Sequence, residues 1–443
     1  MKIAEFVQGR DLANMPDERL DRVKRHVLDT WAAQIAGSRT DEGEAVGRLP
    51  DAATDDLLGA IVAGCAQARC TEIDDIHLTS CTTPGSVVVS TALALARDRA
   101  STGAPISVRD VCAAVVAGYE AIIRVGVAID GPAVLLGPRG GVWPTGFAAA
   151  FGAAATACRA YGLSVEHTAG ALATSLAFVQ HASVSSSPPS SSRWLTLGVA
   201  AASGVIAARG ARAGLVGTID VGRVFSDERR VLSAPAFDPA RLTRGLGRTY
   251  LFDDVGMKPY PTARQGLAAI EAAREIAAAE RLEPADIMAV VVALPERQRA
   301  IVDRHRFPAS RFESIVNVRY QIALALTAPE RLLDVQRTPL LDDARLKRLM
   351  AKVSVRRARD LDAQYPRAWP ARVEIEARGR RYARVVRHPR GDARRPMAWD
   401  NVMAKALAIA GPIAGAPAVQ RVANEWRAAA LDAPMTPLWK RET

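Results

Sequence analysis

At 443 residues the chain is too long for one small core and predicts two or three domains. It is 49% hydrophobic and 24% charged, with a mean hydropathy close to zero, which is the composition of a globular protein. The net charge of +11 brings nucleic acid to mind, but the arginines are spread along the chain and aromatics make up only 5%, so no nucleic-acid partner is expected.

In chain order, MKIAEFVQGRDLANMPDERL has no apolar run of the secretory type. From residue 16 to about 250 the periodicity is mostly helical. DERLDRVKRHVLDTWAAQIAG puts Leu20, Val23, Val27, Leu28, Trp31 and Ala32 on one face, with Gly37 as its expected C-cap. SVRDVCAAVVAGYEAIIRVG opens with Ser107 as N-cap and Asp110 three residues on, and SVEHTAGALATSLAFVQ begins in the same way at Ser164. GFAAAFGAAATACRAYG is the most apolar stretch; it is short and carries Arg159, so it predicts a buried helix and no membrane partner. SVSSSPPSSS (183–192) has the composition of a mobile loop.

Five cysteines, all within the first 160 residues, match no disulfide or zinc spacing, and only six histidines are scattered over the chain. A reduced, cytoplasmic protein without metal is expected. After residue 255 strands appear: DIMAVVVALPE (286–296), AKVSVRRA (351–358), and two alternating segments in ARVEIEARGRRYARVV joined at Arg378-Gly379. The helical segments TARQGLAAIEAAREIAAAERL and FESIVNVRYQIALALT lie between them. The predicted architecture is a large all-α domain over 1–255, completed by a helical tail over 396–443, and a smaller α+β domain over 256–395.

One stretch, TEIDDIHLTSCTTPGS (71–86), gathers Glu72, Asp74, Asp75 and His77 between two apolar segments. With the helix that follows, it resembles the segment of the MmgE/PrpD family that runs acidic-x-Asp-Asp-Thr-His, spacer, His-Pro-Gly. GPRGGVWPTGFAAAFGAAATACRAYGL is similar to the family's Gly-x-His segment. SSRWLTLGVAAASGVIAARGARAGLVG is similar to its Thr-Lys-x-x-His-x-Gly-x-Ala-Ala segment, MKPYPTARQGLAAIEAA to its Lys-Pro-Tyr-Pro segment, and NVRYQIALAL to its helical tyrosine. The resemblance covers nearly the whole chain. It implies a helical domain completed by the C-terminus, a smaller α+β domain, a homodimer, no cofactor, and proton transfer next to a carboxylate in a small di- or tricarboxylate.

The same resemblance places Lys258 and Tyr320 at the family's active-site lysine and tyrosine, and Glu72 at its acidic position. Asp74, Asp75 and His77 fall in register with Asp-Asp-Thr-His, and Arg193 falls where the family has a lysine facing the substrate carboxylates. Other positions depart from the pattern. Thr83, Trp143, Thr196 and Leu267 stand where the family has histidines, and Ile76 replaces a threonine. Histidine is the side chain whose ordinary pKa suits proton transfer near neutral pH, so these exchanges remove general acids and bases.

What remains supports a coherent chemistry. Lys258 and Arg193 supply positive charge for an enediolate-like intermediate, Arg264 adds a carboxylate clamp, and Tyr320, Glu72 and His77 are the remaining proton carriers. Thr83, Trp143, Thr196 and Asp75 complete the expected substrate-binding set. Each residue also has a structural reading: Lys258 as a surface lysine, Tyr320 as a core tyrosine, His77 as a loop anchor. The expected function is lyase chemistry of dehydratase type. The alternatives are an epimerase or cyclase of a specialised biosynthetic pathway, and a non-catalytic carboxylate-binding homologue.

Overall fold

A computed structural model describes residues 1–49, 56–135, 142–179, 191–217, 237–435 and 438. The predicted loop over 183–192 lies almost wholly outside them. The chain packs as two compact units, a helical one of Met1–Val255 with Ala398–Thr443 and an α+β one of Gly256–Met397.

The helical unit is built from α1 (Asp17–Gly37), α2 (Asp56–Cys70), α3 (Gly85–Ser101), α4 (Val108–Ala128), α5 (Pro144–Ala160), α6 (Val165–Ser175) and α7 (Ser192–Arg212). Alanine and glycine dominate the faces where α4, α5 and α7 meet, so their backbones approach closely. Ser107 and Ser164 cap α4 and α6 by accepting the amides of Asp110 and His167. The Asp110 carboxylate accepts from the Ser107 hydroxyl at 2.7 Å, so the reciprocal half of a capping box is replaced by a side-chain contact.

Gly37 departs from its expected role. It is the last residue of α1, with Ser38 as the cap. A Cβ at Gly37 would collide with the carbonyl oxygen of Gln67, so this glycine lets α1 and α2 touch. By composition α4 and α7 are long and apolar enough to cross a membrane, but 94% of the apolar window of α4 is buried in the unit, as in a core helix.

In the α+β unit, α8 (Leu267–Glu280) and α9 (Val318–Thr327) cover one face of a four-stranded sheet. Its strands are β1 (Ile287–Leu294), β2 (Val353–Arg357), β3 (Ala371–Ala377) and β4 (Arg380–Val386), in the order β2-β1-β3-β4. β2 runs parallel to β1, while β1–β3 and β3–β4 are antiparallel, with Val290 opposite both Val353 and Ile375. Alternation sorts the side chains: Ile287, Val290 and Val292 are buried, and Met288 is 65% exposed. The β3–β4 turn has Arg378 and Gly379 both in the left-handed region, as a two-residue hairpin requires. The segment expected as one helix over FESIVNVRYQIALALT is broken at Asn317, whose side chain caps α9 by accepting the Tyr320 amide.

The tail forms α10 (Trp399–Ala414) and α11 (Ala416–Ala428), which return to the helical unit against α1. Lys405 pairs with Asp29 at 2.6 Å and donates to the carbonyl of Ile73 at 2.9 Å, all three buried. The Trp426 indole donates to the carbonyl of Lys24 at 2.8 Å. Removing one member of a buried ion pair leaves the other charge uncompensated. Lys405→Ala is therefore expected to lower the unfolding free energy by about 3–5 kcal/mol. Urea denaturation should show most of that loss recovered in the double variant Asp29→Leu/Lys405→Met.

Candidate active site

In the helical unit the polar turn after α2 is organised by Asp75, which is 1% exposed. Its Oδ2 accepts from the Tyr119 hydroxyl at 2.5 Å and meets His26 Nδ1 at 2.9 Å, and its Oδ1 accepts from the Gly85 amide at 2.8 Å. These donors come from α4, α1 and the first turn of α3, where a negative charge is favoured. Asp75 was expected on a substrate. Its oxygens are instead taken up by internal donors, and burial together with that carboxylate holds the Tyr119 phenol well above its ordinary pKa.

His77, expected as a proton carrier, is also interior. Its Nδ1 accepts from the Ser80 amide at 3.2 Å and lies 2.9 Å from the Ser80 hydroxyl, and its own amide donates to Thr82 at 2.9 Å. This geometry assigns the ring proton to Nε2. Burial pushes its pKa down to about 3, with the charge of Asp75 resisting. At neutral pH His77 is therefore an uncharged clasp of the 77–82 turn. Thr83 is likewise engaged: its amide donates to Thr145 Oγ1 at 3.0 Å and its hydroxyl lies 3.2 Å from the same atom, which fastens the turn to the start of α5.

A second cluster gathers cations and indoles. The Arg193 guanidinium lies 4.5 Å from the ring centre of Trp143 and 4.6 Å from that of Trp194, and the two indoles meet edge to face at 6.2 Å. Arg69, near the end of α2, reaches the same rings at 5.6 and 5.4 Å. Its Nη1 pairs with Glu72 at 2.8 Å and Asp74 at 3.3 Å. Burial works against the charge of Arg69, but Asp74 and Glu72 more than offset it and the pKa is raised. Arg193 has the opposite balance: burial and then the charge of Arg69 bring it down to about 10, with Glu72 resisting. Glu72 itself sits at φ +53°, unusual for a residue with a side chain, and so is held facing Arg69. Thr196, one turn along α7, donates to the carbonyl of Arg193 at 3.0 Å. Sequence reasoning missed Arg69 and Trp194. The i,i+3 spacing of Arg69 and Glu72, and the adjacency of Trp194 to Arg193, are the signals that could have found them.

In the α+β unit Lys258 is 1% exposed, so it is no surface lysine. Its segment packs on the turn at Gly391, which has φ +86° and where a Cβ would strike the carbonyl oxygen of Met257. Arg264, expected as a carboxylate clamp, is 4% exposed and directs Nη2 to Asp392 at 2.7 Å, with its guanidinium 6.0 Å from the Trp369 ring. Burial lowers its pKa and Asp392 opposes that. The Arg264–Asp392 pair thereby anchors the 391–392 turn beneath the Lys258 segment. Tyr320 is fully buried. Its hydroxyl donates to the Leu340 carbonyl at a long 3.4 Å, and burial pushes its pKa up to about 12, with the Arg337 charge opposing.

Comparison with known families identifies the family of the chain. The MmgE/PrpD N-terminal domain matches residues 1–228 and the MmgE/PrpD C-terminal domain matches 260–428. The chain belongs to the MmgE/PrpD family. No curated individual protein matches it. Membership brings dehydratase-like lyase chemistry at the level of the family. Among the described residues no group of three or more His, Cys, Asp or Glu side chains is placed to hold a metal ion. None of the five cysteines is in a disulfide and all are buried, and burial lifts Cys65, Cys112 and Cys158 to about 12, so these three are not activated nucleophiles.

The His77 clasp makes a pH prediction. Its folded pKa lies below the unfolded one, so the unfolded chain binds more protons between about 6.5 and 3, and the contribution of this group to stability falls as pH drops through that window. From pH 7 to pH 5 this contribution falls by roughly 2 kcal/mol. Urea midpoints at the two pH values should show His77→Gln, which keeps an acceptor for the Ser80 amide, with that part of the pH dependence removed.

Proposed function

We propose that this MmgE/PrpD protein is a cofactor-independent enzyme, working as a cytoplasmic homodimer. It removes a proton from the carbon beside a carboxylate in a small carboxylate or carboxylate-derived metabolite, and a β-hydroxyl then leaves as water. The observation that carries this reading is Lys258, retained at the family's lysine position and buried in a segment braced by the Gly391 turn. Taking the Cα proton moves negative charge onto the carboxylate oxygens. An ammonium already withdrawn from water stabilises that charge far better than a solvated one.

The remaining roles follow from protonation state. A carboxylate is the base that fits the first step, and Glu72 is the candidate. Tyr320, with its phenol near 12, keeps its proton at neutral pH and suits donation to the departing hydroxyl. The guanidinium of Arg193 holds a carboxylate. The double bond forms as the C–O bond breaks, and the hydroxyl leaves with the donated proton.

The Arg193–Trp143 stack favours a second reading. Where the family has a lysine and a histidine, this chain has a guanidinium lying on an indole, and neither changes protonation near neutral pH. Epimerisation or cyclisation needs a base and a cation but no acid for a leaving group, so it tolerates that exchange better than dehydration does.

Proton NMR in D2O with 2-methylcitrate, citrate, cis-aconitate, iminodisuccinate and simple β-hydroxy acids separates these readings. New vinylic signals, reduced roughly a hundredfold or more in Lys258→Ala, are expected for the lyase. Loss of a Cα proton signal without an alkene supports the epimerase or cyclase. Turnover unchanged in Lys258→Ala would sink the site assignment, and silence across the panel would favour a non-catalytic carboxylate binder.

A further inference from the structure

Arg337 is fully buried in the α+β unit, at the end of a tight turn where its φ of +57° is one that arginine seldom adopts. Asp334 builds that turn. Its carboxylate accepts the amides of Gln336 and Arg337, each at 3.0 Å, and Arg331 Nη2 at 2.5 Å. That carboxylate is thus taken up by other donors. Among the described residues the Arg337 guanidinium bonds only to neutral carbonyls: Nε to that of Asp334 at 3.2 Å and Nη2 to that of Pro261 at 2.8 Å. Its Nη1 is buried and meets no acceptor among the described residues.

The contrast with Arg264 is informative. That guanidinium also leaves Nη1 without an acceptor among the described residues, but its charge is matched by Asp392. Arg337 has no such match among the described residues. Burial, together with the positive charge of Arg311, brings its pKa down to about 10, although Tyr320 and Asp334 oppose that. It adjoins the segments that carry two of the candidate residues. Pro261 lies three residues from Lys258, and the Tyr320 ring centre is 6.0 Å from the guanidinium carbon. A buried guanidinium with a vacant donor and no carboxylate bonded to it is unfavourable unless an anion completes it, and its planar fork fits a carboxylate.

We propose that Arg337 is an anion-binding residue of the Lys258–Tyr320 site, with Nη1 donating to a carboxylate oxygen of the ligand. The assignment rests on the carboxylate reading above, but its test does not need turnover. Malonate is titrated into wild type, Arg337→Lys and Arg337→Gln by calorimetry and by thermal shift, with sodium chloride at equal ionic strength as control and inorganic phosphate as a second probe. Wild type should bind malonate and gain thermal stability beyond the chloride control. Affinity should fall roughly tenfold or more in Arg337→Gln, the scale of one charge-assisted bond, and less in Arg337→Lys. Phosphate binding as tightly as malonate, with the same dependence on Arg337, would support the site and widen its ligand to small oxyanions.

A wild type indifferent to both probes, or variants that bind them unchanged, would overturn the assignment and leave Arg337 as a clamp on Pro261. Should Arg337→Gln fail to fold, wild-type crystals soaked in malonate decide the matter. A carboxylate oxygen within about 3.2 Å of Nη1 supports the proposal, and malonate ordered elsewhere or absent overturns it. Arg337-dependent binding with no turnover of any candidate would keep this site while removing the catalytic reading.

Discussion

The helical unit depends on one buried carboxylate. Asp75 collects a phenol from α4, an imidazole from α1 and a backbone amide from the first turn of α3, and these three contacts fix the path of the polar turn between α2 and α3. A buried charge without partners is strongly unfavourable, so the arrangement is close to all-or-none. Glu72 and His77 flank Asp75 and inherit their positions from it. Glu72 reaches Arg69 from a left-handed backbone, and His77 is locked in its neutral form. The cluster of titratable groups along 71–86 therefore serves two purposes: Asp75 and His77 hold the turn, while Glu72 joins the cluster of cations and indoles.

Trp143 and Arg193, which the resemblance sets where the family has a histidine and a lysine, form one physical unit. A guanidinium is planar and weakly hydrated and lies flat on an indole, whereas an ammonium keeps its water more tenaciously. Trp143 supplies one wall and Trp194 the other, and Arg69 approaches the same rings with its charge already matched by Glu72 and Asp74. Under that resemblance, a group that can move a proton is traded for one that holds a fixed positive charge in apolar surroundings. That makes the guanidinium–indole stack suited to orienting an anion, which in the proposed reading leaves the acid–base work to Glu72 and Tyr320.

Much of the architecture was legible in the sequence because it rests on local signals. Serine caps at 107 and 164, the alternation of 371–386 around Arg378-Gly379, and the β-branched run of 287–294 each report a backbone preference that the surroundings reinforce. The site was legible only as residue types in family positions. That Asp75 turns inward, or that Gly37 serves a helix crossing instead of a cap, depends on elements distant in the chain, and no periodicity records it. Arg337 left no local mark at all. It is one arginine among many, and its meaning comes from a carboxylate three residues earlier being occupied by other donors.

The boundary between the two family domains is not the boundary between the two packed units. The C-terminal family segment runs to residue 428 and so includes α10 and α11, which belong to the helical unit. The α+β unit is thus an insertion within the helical one, and this sets an order of events during synthesis. When the ribosome has finished α1, the groove that will receive α10 is still open, and Asp29 has yet to meet its ammonium. The whole of the α+β unit must emerge before that seam can close, while it is itself continuous and free to fold as it appears. For that interval the nascent chain carries a finished second unit on an unfinished first one, with the apolar face of α1 open to chaperones.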